Sequence, residues 1–208
     1  AAGTYTVRAT IASTANYQSG TATANFTISA ASIDPSVTIT GWTYGSAANA
    51  PSVAGNPGNG AVTYEYKKST DADTEYLGTV PTAAGTYTVR ATIASTANYQ
   101  GGTTTADFTI DQAILTSVEI DQTLFTYAPG VTHYVTITAY AGTIPVPAGS
   151  ITVTVDGVAT NGASTIGTHT VRATARTDIA NNFRGYAENT FKIQEHTINI
   201  AFGGRAFR

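Results

Sequence analysis

Cysteine is absent from the 208 residues, which excludes disulfides and thiolate metal sites while leaving the compartment open. Charge is scarce too: Asp, Glu, Lys and Arg make up 11%, against a usual share of about 25%. The three Lys and seven Arg are dispersed and the net charge is −3, so no basic stripe suits a nucleic-acid partner. No apolar run approaches the ~18 residues that a membrane-spanning helix needs. Neither an initiator Met nor a charged-then-apolar leader stands at Ala1; the expectation is that any targeting signal lies outside this stretch. Forty Thr and twenty Gly fill the space, a balance that suits short strands joined by tight turns.

The chain repeats itself. Residues 1–28 and 83–110 differ only at 19, 22 and 25, leaving 25 of 28 identical. A worn version, Gly167-Thr168-His169-Thr170-Val171-Arg172, follows later. Gly3, Gly85 and Gly167 are each 82 residues apart, the signature of a tandem array of one domain. A domain of that size buries only about 60–65% of its unfolded surface, so each copy should be modestly stable.

Within Gly85–Ile93, Tyr87, Val89, Ala91 and Ile93 alternate with Thr88, Arg90 and Thr92, the two-residue period of a strand with one buried face. Ala106, Phe108 and Ile110 alternate likewise in the next strand. Further strands are expected at 36–40, 42–45, 52–54, 61–67 and 74–77, with Asn56-Pro57-Gly58-Asn59-Gly60 as a hairpin-type turn between the third and fourth. In the diverged copy, 114–120, 124–127, 134–139 and 151–155 read as strands, Asp156-Gly157 is a hairpin signal, and Phe125 stands where Trp42 stood. Linkers are short (29–31 and 111–113), which predicts an elongated array.

Candidate chemistry is thin. Asp71, Asp73 and Glu75 alternate and are the weak metal candidates, but a calcium loop wants more oxygen ligands and a central Gly; a solvated turn is the plainer reading. His133, His169 and His196 are placed on separate strands, none with a carboxylate at a motif spacing, so no catalytic centre is expected. Lys67, Lys68 and Lys192 raise an isopeptide crosslink, yet Lys67 and Lys192 point away from the core. Trp42, Tyr44, Tyr64, Tyr66, Tyr76 and Tyr99 could stack a sugar; the two weak ligand candidates are Trp42 and Tyr44, beside the register shift at Gly41, and the rest read as packing. Asn25 fits a glycosylation sequon but lies mid-strand. Arg8, Arg90 and Arg172 recur on the polar face of one strand and read as cross-strand partners. No cofactor is implied.

Gly85-Thr86-Tyr87 followed by Val89 resembles the tyrosine corner of immunoglobulin-type sandwiches, with Val89 where antibody domains carry a cysteine. Together with Trp42-Thr43-Tyr44-Gly45, the Asn56–Gly60 turn and Ala97-Asn98-Tyr99, it resembles the Ig-like tandem repeats of large bacterial surface proteins, the MBG-type family. That resemblance covers most of 1–112 and, more weakly, 113–195. It implies an all-β array of Ig-like sandwiches in an extracellular, cell-surface adhesin, non-catalytic, serving as stalk. Its partners would be neighbouring repeats and a host or cell-envelope glycan or protein, with no nucleic acid and no membrane span in this stretch. The division expected is 1–30 as the last two strands of a repeat, 31–112 as a complete repeat, 113–195 as a diverged one, and 196–208 as the first strand of another or a tail. The structural residues are Gly85, Tyr87, Val89 and Phe108 in one copy and Gly167, His169, Val171 and Phe191 in the other.

Overall fold

The computed structural model describes residues 1–198. Alternating apolar and Thr-rich segments form strands throughout: β1 Gly3–Ile11, β2 Gly20–Ile28, β3 Ser36–Thr38, β4 Trp42–Thr43, β5 Ser52–Ala54, β6 Val62–Lys68, β7 Gly85–Ile93 and β8 Gly102–Asp111. The later part adds β9 Ala113–Ile114, β10 Ser117–Ile120, β11 Leu124–Thr126, β12 His133–Tyr134, β13 Ile137–Ala141, β14 Ile144–Val146, β15 Ile151–Val155, β16 Gly162–Ala163, β17 Gly167–Ala175, β18 Phe183–Arg184 and β19 Tyr186–Gln194. Two compact units result, one from Ala1–Trp42 and Ala47–Ile110, the other from Thr43–Ser46 and the residues after Ile110. Each is all-β and contains an immunoglobulin-like β-sandwich.

In the first unit a four-stranded sheet runs β4-β8-β7-β6 and faces the β3-β5 pair. Val37, Trp42, Tyr66, Tyr87, Val89, Ala91, Ile93, Phe108 and Ile110 are buried there, the residues that alternation assigns to the inner face. In the second unit the order β11-β19-β17-β15 repeats the first sheet, opposite a β10-β13-β14 sheet. Its core gathers Leu115, Val118, Val135, Val171, Phe191 and Ile193. The hairpin β1-β2 forms a separate two-stranded sheet in the first unit.

Several local expectations change. The Asn56–Gly60 turn does not close a hairpin, because β5 pairs with β3 whereas β6 pairs with β7. Asn56 instead clasps Gly60 with two side-chain hydrogen bonds of 2.9 Å, and the turn carries the chain from one sheet to the other. No strand forms over 74–77; only Leu77 bridges to Tyr66. The expected 134–139 strand splits into β12 and β13, which join different sheets. His196 lies past the end of β19, not on a strand. Beyond Ile198, the strand expected over 198–202 lies outside the described residues. Gly41 sits where the chain leaves β3 for β4, and a Cβ there would run into the Thr109 carbonyl.

Candidate functional site

The glycine-led corner is the best-defined polar feature. Gly85 takes φ +154, a value that side-chain-bearing residues rarely adopt, and turns the chain so that Tyr87 folds back over it. The Tyr87 hydroxyl donates to the Ala83 carbonyl at 2.9 Å, and its ring stacks on Phe108 at 5.7 Å. Burial raises the Tyr87 pKa. In the hairpin the Tyr5 hydroxyl reaches the Ala1 carbonyl at 2.7 Å.

The third corner solves the same problem with imidazole. His169 is buried and its Nε2 lies 2.8 Å from the Thr165 carbonyl, four residues back as in the tyrosine corners. Its Nδ1 lies 2.6 Å from Asp156 Oδ2. Both nitrogens thus face acceptors, which requires both to carry protons. Burial opposes that charge, but hydrogen bonds to Asp156 and Thr165 outweigh it and the His169 pKa is raised. The bond to His169 lowers the Asp156 pKa in turn. Sequence spacing showed no carboxylate for His169, and the fold corrects this. Val155 opposes Val171 in the β15–β17 ladder, and the Asp156-Gly157 turn (φ 49° and 82°) aims Asp156 back at β17. The legible signal was the Asp-Gly turn itself, one residue past a strand that pairs with the corner strand. His133 sits against the Phe125 ring at 4.8 Å, and its Nε2 is buried without a hydrogen-bond partner.

On the polar faces, Arg90 opposes Glu65 across the ladder and donates to it at 2.8 and 3.2 Å, with its guanidinium 4.0 Å from the centre of the Tyr76 ring. Arg172 opposes Glu188 at 2.6 Å and lies over Tyr186 at 4.4 Å. Arg8 stands at the same place in β1, facing Thr23. Lys67 leaves the core but is not solvated: its side chain is 9% exposed, pinned by Asp73 at 2.9 Å and by the Asp71 carbonyl at 2.6 Å. The hydrogen bond between them raises the Lys67 pKa and lowers that of Asp73. Asp73 is thereby spent on an ammonium. Among the described residues no group of three His, Asp or Glu could hold a metal, so Asp71, Asp73 and Glu75 do not converge.

Trp42 is 8% exposed and stacks on Phe108 at 5.2 Å, which leaves no indole face for a ligand. Tyr44, half-buried in the second unit, meets Phe183 edge-on at 5.4 Å and lines a shallow groove of about 470 Å³ with Gln112, Thr116, Ile144 and Arg184. The two ligand candidates therefore lie apart in packing terms, one a core residue and one a groove wall. Val89, Val171 and Phe191 are fully buried, and Phe108 is buried.

A family model described as the MBG domain matches residues 1–32 and 36–114. The chain belongs to the MBG domain family. MBG domains are repeat domains of extracellular surface proteins, and the matched span holds both tyrosine corners. Among solved structures, the chain is similar to Dpr2 Ig1-Ig2 in complex with DIP-Theta Ig1-Ig3, at 9% identity and a TM-score of 0.35 over 94% of this chain and 73% of that one. It is also similar to the fibronectin(III)-like modules of Clostridium thermocellum CbhA, at 15% identity and a TM-score of 0.27 over 81% of this chain and all of that one. No match was found among curated proteins. No helix in the described MBG chain is long and apolar enough to cross a membrane. The matched span stops at 114, so the histidine corner lies in the diverged part.

Proposed function

We propose that this chain is a non-catalytic spacer in the stalk of a bacterial cell-surface adhesin, built from consecutive MBG repeats. The observation that carries the reading is the corner stretch recurring every 82 residues, with its inner face invested in packing in the copies at Gly85 and Gly167. A catalytic His needs one nitrogen free to exchange a proton with a nucleophile. His169 offers none, since one nitrogen serves Asp156 and the other Thr165. Binding of a host or envelope glycan through Trp42 loses support because its indole is packed on Phe108. Short linkers at 29–31 and 111–113 favour restricted bending between repeats. Small-angle scattering of the chain tests this. A maximum dimension well above that of a compact globule of equal mass is expected, and a compact profile would overturn the stalk.

A further inference from the structure

The chain contains two Asn–Gly pairs, Asn59–Gly60 and Asn161–Gly162, and in each the glycine is fixed by close approach. A Cβ on Gly60 would run into the Ala94 carbonyl, and one on Gly162 into the His133 carbonyl. Asn59 holds φ at 50°, a left-handed backbone that asparagine tolerates better than most residues. The fold thus keeps a chemically fragile pairing, because asparagine is thermolabile and a glycine nitrogen has no side chain beside it to hinder attack on the preceding carboxamide. The two pairs are restrained at opposite ends of that reaction. At Gly60 the nucleophile is held: its N–H donates to Asn56 Oδ1 at 2.9 Å, while Asn56 Nδ2 donates to the Gly60 carbonyl at 2.9 Å. The Asn59 N–H closes the turn on the Asn56 carbonyl at 3.2 Å. The Asn59 side chain is exposed and has no hydrogen-bond partner among the described residues. At the other pair the electrophile is held, since Asn161 Nδ2 donates to the Val135 carbonyl at 3.1 Å.

We propose that Asn59–Gly60 is a latent deamidation site and that Asn56 is the positioning residue that keeps it closed. In the reaction the Gly60 N–H proton goes to solvent hydroxide and the nitrogen bonds to Asn59 Cγ. The Cγ–Nδ2 bond breaks, and the leaving nitrogen takes a proton from water and departs as ammonia, giving a cyclic succinimide. Water then opens either imide C–N bond and leaves aspartate or isoaspartate at position 59. The net change consumes a water and releases an ammonia, with no oxidant or reductant. Asn56 stands against the first step, because the nitrogen must give up its bond to Oδ1 before it can turn on Cγ. Asn59 precedes Asn161 in susceptibility, since its carboxamide is free to rotate whereas that of Asn161 is tethered to Val135. The isoaspartate product lengthens the main chain by a carbon and adds a negative charge, immediately before a glycine fitted against Ala94. Deamidation therefore strikes the crossover that carries the chain from β5 to β6.

The test ages the full chain in warm, mildly alkaline buffer and follows isoaspartate at positions 59 and 161 by peptide mapping. In the folded chain, position 59 should convert ahead of 161. The chain unfolded in urea should convert at 59 at least about fivefold faster, the factor that one net hydrogen bond is worth. Asn56→Ser should bring the folded chain close to the unfolded rate at 59 and leave 161 unchanged, with Trp42 fluorescence reporting that the first unit is folded. Should that variant not fold, Asn56→Asp decides: it keeps an oxygen for the Gly60 N–H and loses only the donor to the Gly60 carbonyl, so protection at 59 should persist. Conversion of folded Asn56→Ser at the original rate overturns the proposal. So does conversion at 59 in the folded chain as fast as in urea, loss of protection in folded Asn56→Asp, or conversion at 161 ahead of 59.

Discussion

The two corners at Tyr87 and His169 hold the same place by different means. Both rings lie beside the sheet's central phenylalanine, Phe108 or Phe191, and both reach a carbonyl four residues upstream. Tyrosine does so as a neutral donor. Imidazole needs a proton on each nitrogen, and the second unit supplies Asp156 at the position held by Lys67 in the first, each flanking the residue opposite Val171 or Val89. Geometry is what the repeat keeps; the chemistry meeting it is exchanged in compensating sets. The aromatic neighbours follow suit. Trp42 and Tyr66 crowd Phe108, while Phe125 and His169 suffice for Phe191.

The hardest way to break the comparison is to empty its centre. Phe108→Ala should destabilise the first unit by about 3–5 kcal/mol, the cost of truncating a buried phenylalanine. Phe191→Ala should do the same to the second unit. Trp42, the single tryptophan, stacks directly on Phe108, so its fluorescence follows the first unit during urea unfolding. A shift of the Trp42 transition with Phe191→Ala as large as with Phe108→Ala would show that the units do not unfold separately.

The pH dependence separates the corners next. A raised histidine pKa contributes stability that is fully present below the unfolded value of 6.5 and is lost as pH rises through the folded value. The lowered Asp156 pKa contributes stability above 3.8 that is lost as pH falls through its folded value. The second unit should therefore be most stable between those limits and weaken on the alkaline side, whereas the first, with Tyr87 at the corner, stays level across neutral pH. Asp156→Asn should cost about 1 kcal/mol near pH 6, a figure discounted because the carboxylate is half exposed, and should flatten the profile. Hydrogen exchange of β17 amides against pH would check this, and an unchanged profile in Asp156→Asn would remove the ion pair from the account.

Much of this was legible. Alternation in Gly85–Ile93 and Gly102–Asp111 names the buried residues, because a strand face is fixed by parity. The corner hydrogen bond follows from a glycine two residues before a ring. What parity cannot say is which sheet a short strand joins, and there the reading of Asn56–Gly60 as a hairpin turn gave way to a crossover. Nor does spacing reveal a partner brought by pairing: Asp156 lies 13 residues from His169 and meets it only because β15 runs beside β17. The polar face of β6 looked wet for the same reason, since the loop that lays Tyr76 and Asp73 over it has no periodic signature. The exposed apolar face of β1–β2 accords with a stretch over 1–30 that carries only the last two strands of a repeat.

A smaller effect sharpens the role of the hydroxyl. Tyr87→Phe removes one hydrogen bond and leaves the ring stacked, so a loss of about 1 kcal/mol is expected. Tyr5→Phe should cost the chain less, because water competes for the exposed Ala1 carbonyl. Equal losses in thermal unfolding would mean that burial adds nothing to the corner bond.

The arginine row should give the least. Glu65 and Glu188 answer Arg90 and Arg172 from opposite neighbouring strands, β6 in one unit and β19 in the other, so the charge pair has moved across the arginine while the arginine stayed. That pattern fits a pair whose position matters little to the core. Arg90 is the more covered of the two, and its guanidinium sits closer to an aromatic ring. Double-mutant cycles should return coupling of about 0.2–1 kcal/mol for each pair, as is usual for partly exposed ion pairs. Glu65–Arg90 should lie at the upper end and decline less steeply as salt screens them both. A larger coupling for Glu188–Arg172 would mean that its shorter 2.6 Å contact outweighs the cover that Tyr76 gives Arg90, and the ranking of burial over distance would reverse.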